Sequence, residues 1–285
     1  MSGIIGILNL DSKPVEPDEI GRMIDSLAHR GPDGSGVWID GPVGMGHHML
    51  WTTPESLHEK FPLINAQGDL VLTSDARIDN REELISALEL KNHPAHKLTD
   101  SQLILWAYEK WGQDCAEKLI GDFAFAIWDK RSQMLFCARD PVGAKSFFYY
   151  KSTKSFVFAS EIKAILCASG VPHQLNELRI AEHLIQFFED KTLSFYKDIF
   201  RLSAANSITV GPGEFRTRVY WSLDPKREIH MSSEEEYSQA FHEIFTEAVR
   251  CRLRSAYPIG STLSGGLDSS SIRSEEHTSE LQSPY

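Results

Sequence analysis

Between Phe123 and Asp140 the chain reads FAFAIWDKRSQMLFCARD. Two β-rich runs flank a short polar turn, DKRSQ, which is the signature of a hairpin. FFYY at Phe147–Tyr150 and FVFAS at Phe156–Ser160 repeat the arrangement around KSTKS. Successive hairpins predict antiparallel sheets, and the segments around them predict the helices that cover those sheets.

Those segments follow the same logic. Gly3–Asn9 is short, apolar and β-branched, so it reads as a buried strand that begins almost at the terminus. Pro17–Ser26 reads as a helix with Pro in its first turn. Asp69–Ala76 (DLVLTSDA) reads as a strand. Asn80–Leu88 is expected to be a helix capped by Asn80, with Glu82 and Glu83 in its first turn. Asp100–Trp111 is another helix, capped at Thr99 or Asp100, and Ser160 is expected to cap the helix EIKAILCA. After about Asp224 the character changes. Ser233–Arg254 is one amphipathic helix with acidic residues at its start and Arg250, Arg252 and Arg254 at its end, a polarity that suits the helix dipole. Pro258 breaks it, and IGSTL is expected to follow as a short strand. A domain boundary is placed in the polar stretch Asp224–Ser232.

Composition narrows the function classes. The formal net charge of −11 argues against a nucleic-acid footprint, which needs a basic patch, and against an anionic membrane surface. No run reaches the length of a membrane-spanning helix, and MSGIIGILNL lacks the basic start of a signal peptide. Cys115, Cys137, Cys167 and Cys251 are far apart and form no CxxC pair, which fits reduced thiols in a cytoplasmic protein. His47 and His48 are adjacent on an expected strand and so point to opposite faces; they do not read as a metal pair.

The motif richest in chemistry is LSGGLDSS, Leu263 to Ser270. It follows an expected strand and opens an expected helix. Gly265 and Gly266 let the backbone approach a phosphate closely, the free N–H groups and the positive end of the helix dipole face the anion, and Ser264 and Ser269 add hydroxyl donors. Asp268 offers a hard oxygen ligand for a Mg²⁺ that bridges phosphates.

SGGLDSS also matches the pyrophosphate-loop motif of ATP pyrophosphatases, and LSGGLDSS resembles asparagine synthetases. HRGPDG at His29–Gly34, GDFAFAIWD at Gly121–Asp129, ARDPVGAKSFFYY at Ala138–Tyr150 and FASEIKAIL at Phe158–Leu166 resemble the N-terminal glutamine amidotransferase domain of glutamine-hydrolysing asparagine synthetases. The resemblance covers Met1 to Ile272. It implies an α+β N-terminal-nucleophile hydrolase fold over residues 1–224, two antiparallel sheets between helices. It implies the beginning of an α/β nucleotide-binding synthetase domain over residues 225–272, with ATP at Leu263, Ser264, Gly265, Gly266, Asp268 and Ser269, and Mg²⁺ at Asp268. Family members adenylate a carboxylate with ATP and let an amine displace AMP; in asparagine synthetases that amine is ammonia released from glutamine by the first domain.

Carried residue by residue, the glutamine site is altered. The family nucleophile is a cysteine after the initiator Met; here it is Ser2, small enough for Met1 to be removed, after which the free α-amine is a base for the hydroxyl. Members read roughly GHxRLSI where this chain has GHHMLWT, so the arginine that grips the glutamine carboxylate falls on Met49, and a thioether makes no bidentate charge-assisted contact. Where they read NGEIYN this chain has DARIDN. The oxyanion-hole asparagine falls on Asp75 and its neighbouring glycine on Ala76. An ionised Asp75 only accepts hydrogen bonds, and losing one oxyanion donor typically costs about a hundred- to a thousandfold in rate. The acidic partner for the substrate amine is kept at Asp100, although the following Glu has become Gln102. Lys145 and Glu161 are assigned to structure or to a domain interface.

These changes set the expected function: an ATP-dependent amide-forming ligase with an inactive glutaminase domain, similar to peptide macrolactam cyclases of lasso peptides or to β-lactam synthetases. Its substrate would be a small-molecule or peptide carboxylate. The alternatives are an asparagine synthetase that uses glutamine or ammonia, and a non-catalytic scaffold. From Arg273 the resemblance ends. RSEEHTSELQS resembles the translation of a sequencing adapter, so residues 273–285 are expected to be an artefact, and the chain as written is expected to fold in its first domain and to bind ATP weakly or not at all.

Overall fold

The computed structural model describes residues 1–90, 94 and 97–280. The last five residues of the expected artefactual tail, 281–285, lie outside the described residues. Strands run in the order β1 (Gly3–Asn9), β2 (Gly34–Asp40), β3 (Val43–Met49), β4 (Leu63–Ile64), β5 (Leu70–Ile78), β6 (Gly121–Asp129), β7 (Met134–Arg139), β8 (Phe148–Lys151), β9 (Ser155–Ala159), β10 (Ile199–Arg201), β11 (Asn206–Gly211) and β12 (Glu214–Val219). The helices are α1 (Pro17–Asp25), α2 (Arg81–Ala87), α3 (Asp100–Trp111), α4 (Ile162–Ile165), α5 (Glu177–Leu184), α6 (Glu234–Arg252) and α7 (Leu267–Glu280).

The chain divides into two compact units. The first comprises Met1–Leu50 and His58–Ser222; the second comprises Trp51–Leu57 and Leu223–Tyr285.

In the first unit the strands form two six-stranded antiparallel sheets, ordered β10-β8-β9-β1-β3-β2 and β12-β11-β7-β6-β5-β4. Side-chain alternation explains how they stack. In β6, Ala124, Ala126 and Trp128 face the other sheet, where they meet Ile4, Met45 and Phe158. Phe123, Phe125 and Ile127 face outward and pack under α3 with Ile104 and Tyr108. In β1, Ile5 and Ile7 face α1 and α4, against Ile20, Met23 and Ile165. Every strand at the centre is thus buried on both faces, and the layers are helix, sheet, sheet, helix. The small inner residues of FAFAI let the sheets approach, and the large outer ones fill the space beneath the helix.

Both hairpins form as expected. Three local expectations are corrected. Asn80 is the N-cap of α2, but its side chain makes no capping bond. Its Oδ1 accepts from Ile120 N at 2.9 Å and its Nδ2 donates to the Lys118 carbonyl, so it ties the 3₁₀ turn Gly112–Lys118 to β5 and β6. Ser160 does not cap α4; its Oγ accepts from Ile4 N at 3.0 Å, and Glu161 holds the N-cap position. IGSTL forms no strand. A strand needs a neighbour for its ladder, and no pairing is made to these residues among the described ones. Thr99, rather than Asp100, caps α3 in a capping box with Gln102.

In the second unit Ser233 caps α6 by accepting from Glu236 N. Trp51–Leu57 joins it through the Ala256 N–H, which donates to the Thr52 carbonyl at 2.8 Å, and an Arg254–Glu55 ion pair at 3.2 Å. Among the described residues no helix is long and apolar enough to cross a membrane.

Candidate functional site

The glutamine-site positions lie in the first unit and the LSGGLDSS loop in the second. In the first unit the site grows from the ends of β1, β3 and β5. β1 and β3 pair with Gly3 opposite His48, which brings Met49 beside the N-terminus. Ser2 Oγ accepts from Leu50 N at 3.2 Å, and the Ser2 carbonyl accepts from Arg30 Nε at 2.9 Å. Met49 is 6% exposed, and its carbonyl accepts from Asp33 N in the HRGPDG turn. Its thioether leaves this mouth without the cation expected to grip a carboxylate.

Asp75 shares with Val71 and Thr73 the face of β5 turned toward the opposite sheet, where Thr73 bonds His47 at 3.1 Å. The Asp75 carboxylate is 7% exposed and already engaged. Its Oδ1 accepts from Lys145 Nζ at 2.9 Å, and Arg30 Nη2 lies 3.5 Å from its Oδ2. Ala76 is on the opposite face, packed toward α3. Asp100 is also on that side. Its Oδ2 accepts from Ile78 N at 3.0 Å and its Oδ1 pairs with Arg81, whose guanidinium also donates to the Leu98 carbonyl. The fold therefore gathers Ser2, Met49 and Asp75 at one mouth, while the side chains of Ala76 and Asp100 are committed behind the sheet.

The electrostatics of the mouth involve residues whose part the sequence did not disclose. Arg30 reaches three groups: the Ser2 carbonyl, Asp75 and Glu161, the last at 3.0 Å. Glu161 also receives His29 at 2.9 Å and Lys163 at 3.3 Å. Burial alone would raise the Glu161 carboxyl, but the bonds from Arg30, His29 and Lys163 outweigh it and hold it below the usual range. Burial pushes the Met1 amine down; Asp75 opposes that fall, and Lys145 and Arg30 add to it. Deeper in the same unit, burial pushes the imidazole of His47 down to about 3, where it stacks on Phe61 at 4.1 Å as a neutral ring. Glu59 Oε1 is enclosed with no hydrogen-bond partner among the described residues, and burial pushes its carboxyl up to about 7 against the pull of Thr99 and Ser101. The signal for Arg30 and Lys145 lay in the sequence, inside HRGPDG and ARDPVGAKS, but their pairings, Lys145 with Asp75 and Arg30 with Glu161, span 70 and 131 residues and have no local mark.

In the second unit the LSGGLDSS loop opens α7 at Leu267. Gly265 has φ +81°, the left-handed region that glycine adopts without strain. Ser264 Oγ and Ser269 Oγ lie 3.0 Å apart, Ser269 Oγ accepts from Ser264 N at 3.3 Å, and Ser270 N donates to Gly266 O at 3.2 Å. Leu263 is exposed, as is Asp268, which lines a cleft of about 560 Å³ between α6 and α7 with Phe241, Phe245 and Ile272. Among the described residues no group of three or more His, Cys, Asp or Glu converges as a metal cage.

Comparison with known proteins agrees with this architecture. Residues 1–221 match the family described as "Glutamine amidotransferase domain", and residues 240–275 match "Asparagine synthase". Asparagine synthetase [glutamine-hydrolyzing] 3 of Bacillus subtilis is 32% identical over 95% of this chain and 44% of its own length. Amidase chry2 of Gibberella zeae is 29% identical over 93% of this chain and 40% of its own. The chain thus spans about half the length of the curated relatives it matches. A glutamine phosphoribosylpyrophosphate amidotransferase structure from B. subtilis shares the fold, with a TM-score of 0.54 at 14% identity over 78% of this chain and 50% of that one. The fold is of the N-terminal-nucleophile hydrolase type, and the chain belongs to the glutamine amidotransferase domain family through residues 1–221, followed at residues 240–275 by a segment that matches the asparagine synthase family.

Proposed function

We propose that this protein serves an ATP-dependent, amide-forming ligase in which a carboxylate is activated as its adenylate and an amine supplied by the substrate displaces AMP, with the amidotransferase domain no longer hydrolysing glutamine. The observation that carries the reading is the state of Asp75. At the place where an oxyanion donor is needed stands a carboxylate, bonded by Lys145 at 2.9 Å and faced by Arg30 at 3.5 Å. A negative group there raises the energy of a developing oxyanion, and Met49 offers nothing to a glutamine carboxylate. Intramolecular amide closure of a peptide, as in macrolactam cyclases, is the substrate class this favours, because such a reaction needs no ammonia.

The loop fits the nucleotide. Gly265 and Gly266 give close backbone approach, the first N–H groups of α7 point toward the loop, and Ser264 and Ser269 supply hydroxyls. ATP would supply the phosphoanhydride whose cleavage drives adenylation. Asp268 would offer Mg²⁺ one carboxylate oxygen, the rest of the shell coming from phosphates and water.

The test is glutamate release from glutamine by the purified protein, with pyrophosphate release from ATP measured alongside on candidate carboxylates. The expected outcome is no glutamate above background; clear glutamate formation overturns the reading. The second reading, an asparagine synthetase that consumes glutamine, is favoured by relatives whose names say glutamine-hydrolyzing, and the same assay decides it.

A further inference from the structure

Lys145 is held from three directions. Its backbone N–H donates to Asp140 Oδ2 at 2.9 Å, its carbonyl accepts from Arg139 Nε at 2.6 Å, and its Nζ lies 2.9 Å from Asp75 Oδ1. Asp140 is fully enclosed and also takes the N–H groups of Val142 and Ala144. Arg139 also grips the carbonyls of Gly143 and Leu202. The loop after β7 is therefore built to deliver one ammonium to one point. From the other side Arg30 reaches Asp75 while fixing the Ser2 carbonyl. The side chains of Asp75, Arg30 and Lys145 are 7, 9 and 14% exposed. Charges enclosed to that degree are stable only while each keeps its partner, and at 2.9 Å no substrate atom fits between Lys145 and Asp75.

We propose that Asp75, Lys145 and Arg30 form an ionic plug that closes the mouth at the N-terminus and controls access to residue 2. The proposal rests on the reading that the glutamine site is out of use, and extends it from missing donors to a contact that shuts the site. Lys145 and Arg30 are positioning residues in this scheme. Glu161 balances the second positive charge of Arg30's neighbourhood, with His29 and Lys163 on its outer side.

Access to residue 2 is measured directly in a Ser2→Cys chain. The probe is iodoacetamide, an uncharged alkylating reagent, and labelling of the N-terminal peptide is followed by mass spectrometry. Cys137, fully buried between the sheets, reports in the same sample whether the fold is intact. Ser2 is half-buried beside an exposed Met1, so with the plug in place the introduced thiol should react at a measurable rate, slower than in either single variant. Adding Asp75→Asn or Lys145→Ala should accelerate its labelling by at least about tenfold while Cys137 stays protected. With both added, no charge of the pair is left unpartnered, so the thermal midpoint should recover relative to the single variants while the introduced thiol still labels fast. Equal labelling rates at residue 2 in all four chains, or a return to the slow rate in the double change, overturns the plug. If one single variant exposes Cys137, the other and the double change carry the decision. Glutamate release by the unaltered chain overturns the underlying reading instead, so the two failures are distinguishable.

Discussion

Phe125 and Phe241 carry the same side chain in opposite surroundings. Phe125 is fully enclosed beneath α3 in the first unit, tilted against Phe123 and Phe136. Phe241 is 69% exposed on α6, stacked on Phe245 of its own helix. The difference runs through both units. The first buries aromatic and aliphatic residues in three continuous layers, whereas Val249 is the one apolar side chain buried among the described residues of the second. An amphipathic pattern tells where a helix turns its apolar face; it does not tell how much of that face is covered. Stability in the first unit is held by contacts remote in sequence, and in α6 by local ones: the Ser233 cap, the Glu247–Arg250 pair at 2.7 Å and the Phe241–Phe245 stack.

The sharpest way to break this contrast is truncation. Phe125→Ala should cost about 3–5 kcal/mol, read as a fall in Tm or denaturant midpoint. Phe241→Ala should stay within about 0.5 kcal/mol. Equal costs would mean that the two units share one core.

A pH titration probes the first unit alone. The folded pKa of His47, about 3, lies below its unfolded value of 6.5. The folded state therefore binds fewer protons between those values. Its stabilising contribution is fully present above pH 6.5 and is lost as pH falls toward 3, at a limiting slope of about 1.4 kcal/mol per pH unit. Glu59 works the other way: its carboxyl is raised from 4.5 to about 7, so its contribution is present below pH 4.5 and lost as pH rises through 7. Replacing His47 by Gln should flatten the acid limb of stability against pH, and Glu59→Gln the neutral one. Unchanged limbs would mean that neither group is as enclosed as the structure places it.

The smallest effects separate the helices by their caps. Thr99→Ala and Ser233→Ala should each cost about 1 kcal/mol. The first should lower the cooperative unfolding midpoint of the whole unit; the second should appear as lost helical circular dichroism with that midpoint unmoved.

The hairpins, the buried strand at Gly3–Asn9 and the helix capped at Thr99 were legible because hydrophobic period and turn residues are local. Of β3 only His47 and His48 were placed on a strand, because VGMGHHM is poor in strand formers. Its glycines are there for packing: a Cβ on Gly44 would stand 2.8 Å from Ile20 of α1. β11 and β12 were hidden similarly by the glycines and proline of GPGE. The motif residues of the site were legible by resemblance, and the order Ser2, Met49, Asp75 does converge. That Ala76 turns away follows from strand alternation once the register of β5 is fixed. The partners of Asp75 and Asp100 were out of reach, since ion pairs across 19 to 70 residues leave no periodic trace.

Arg139 and Asp140 give this architecture a property beyond stability. Because they hold the backbone N–H and carbonyl of Lys145, the segment that carries the ammonium is braced without any help from Asp75. Under the proposed function, the carboxylate at residue 75 thus meets a cation carried on a segment that the fold fixes independently.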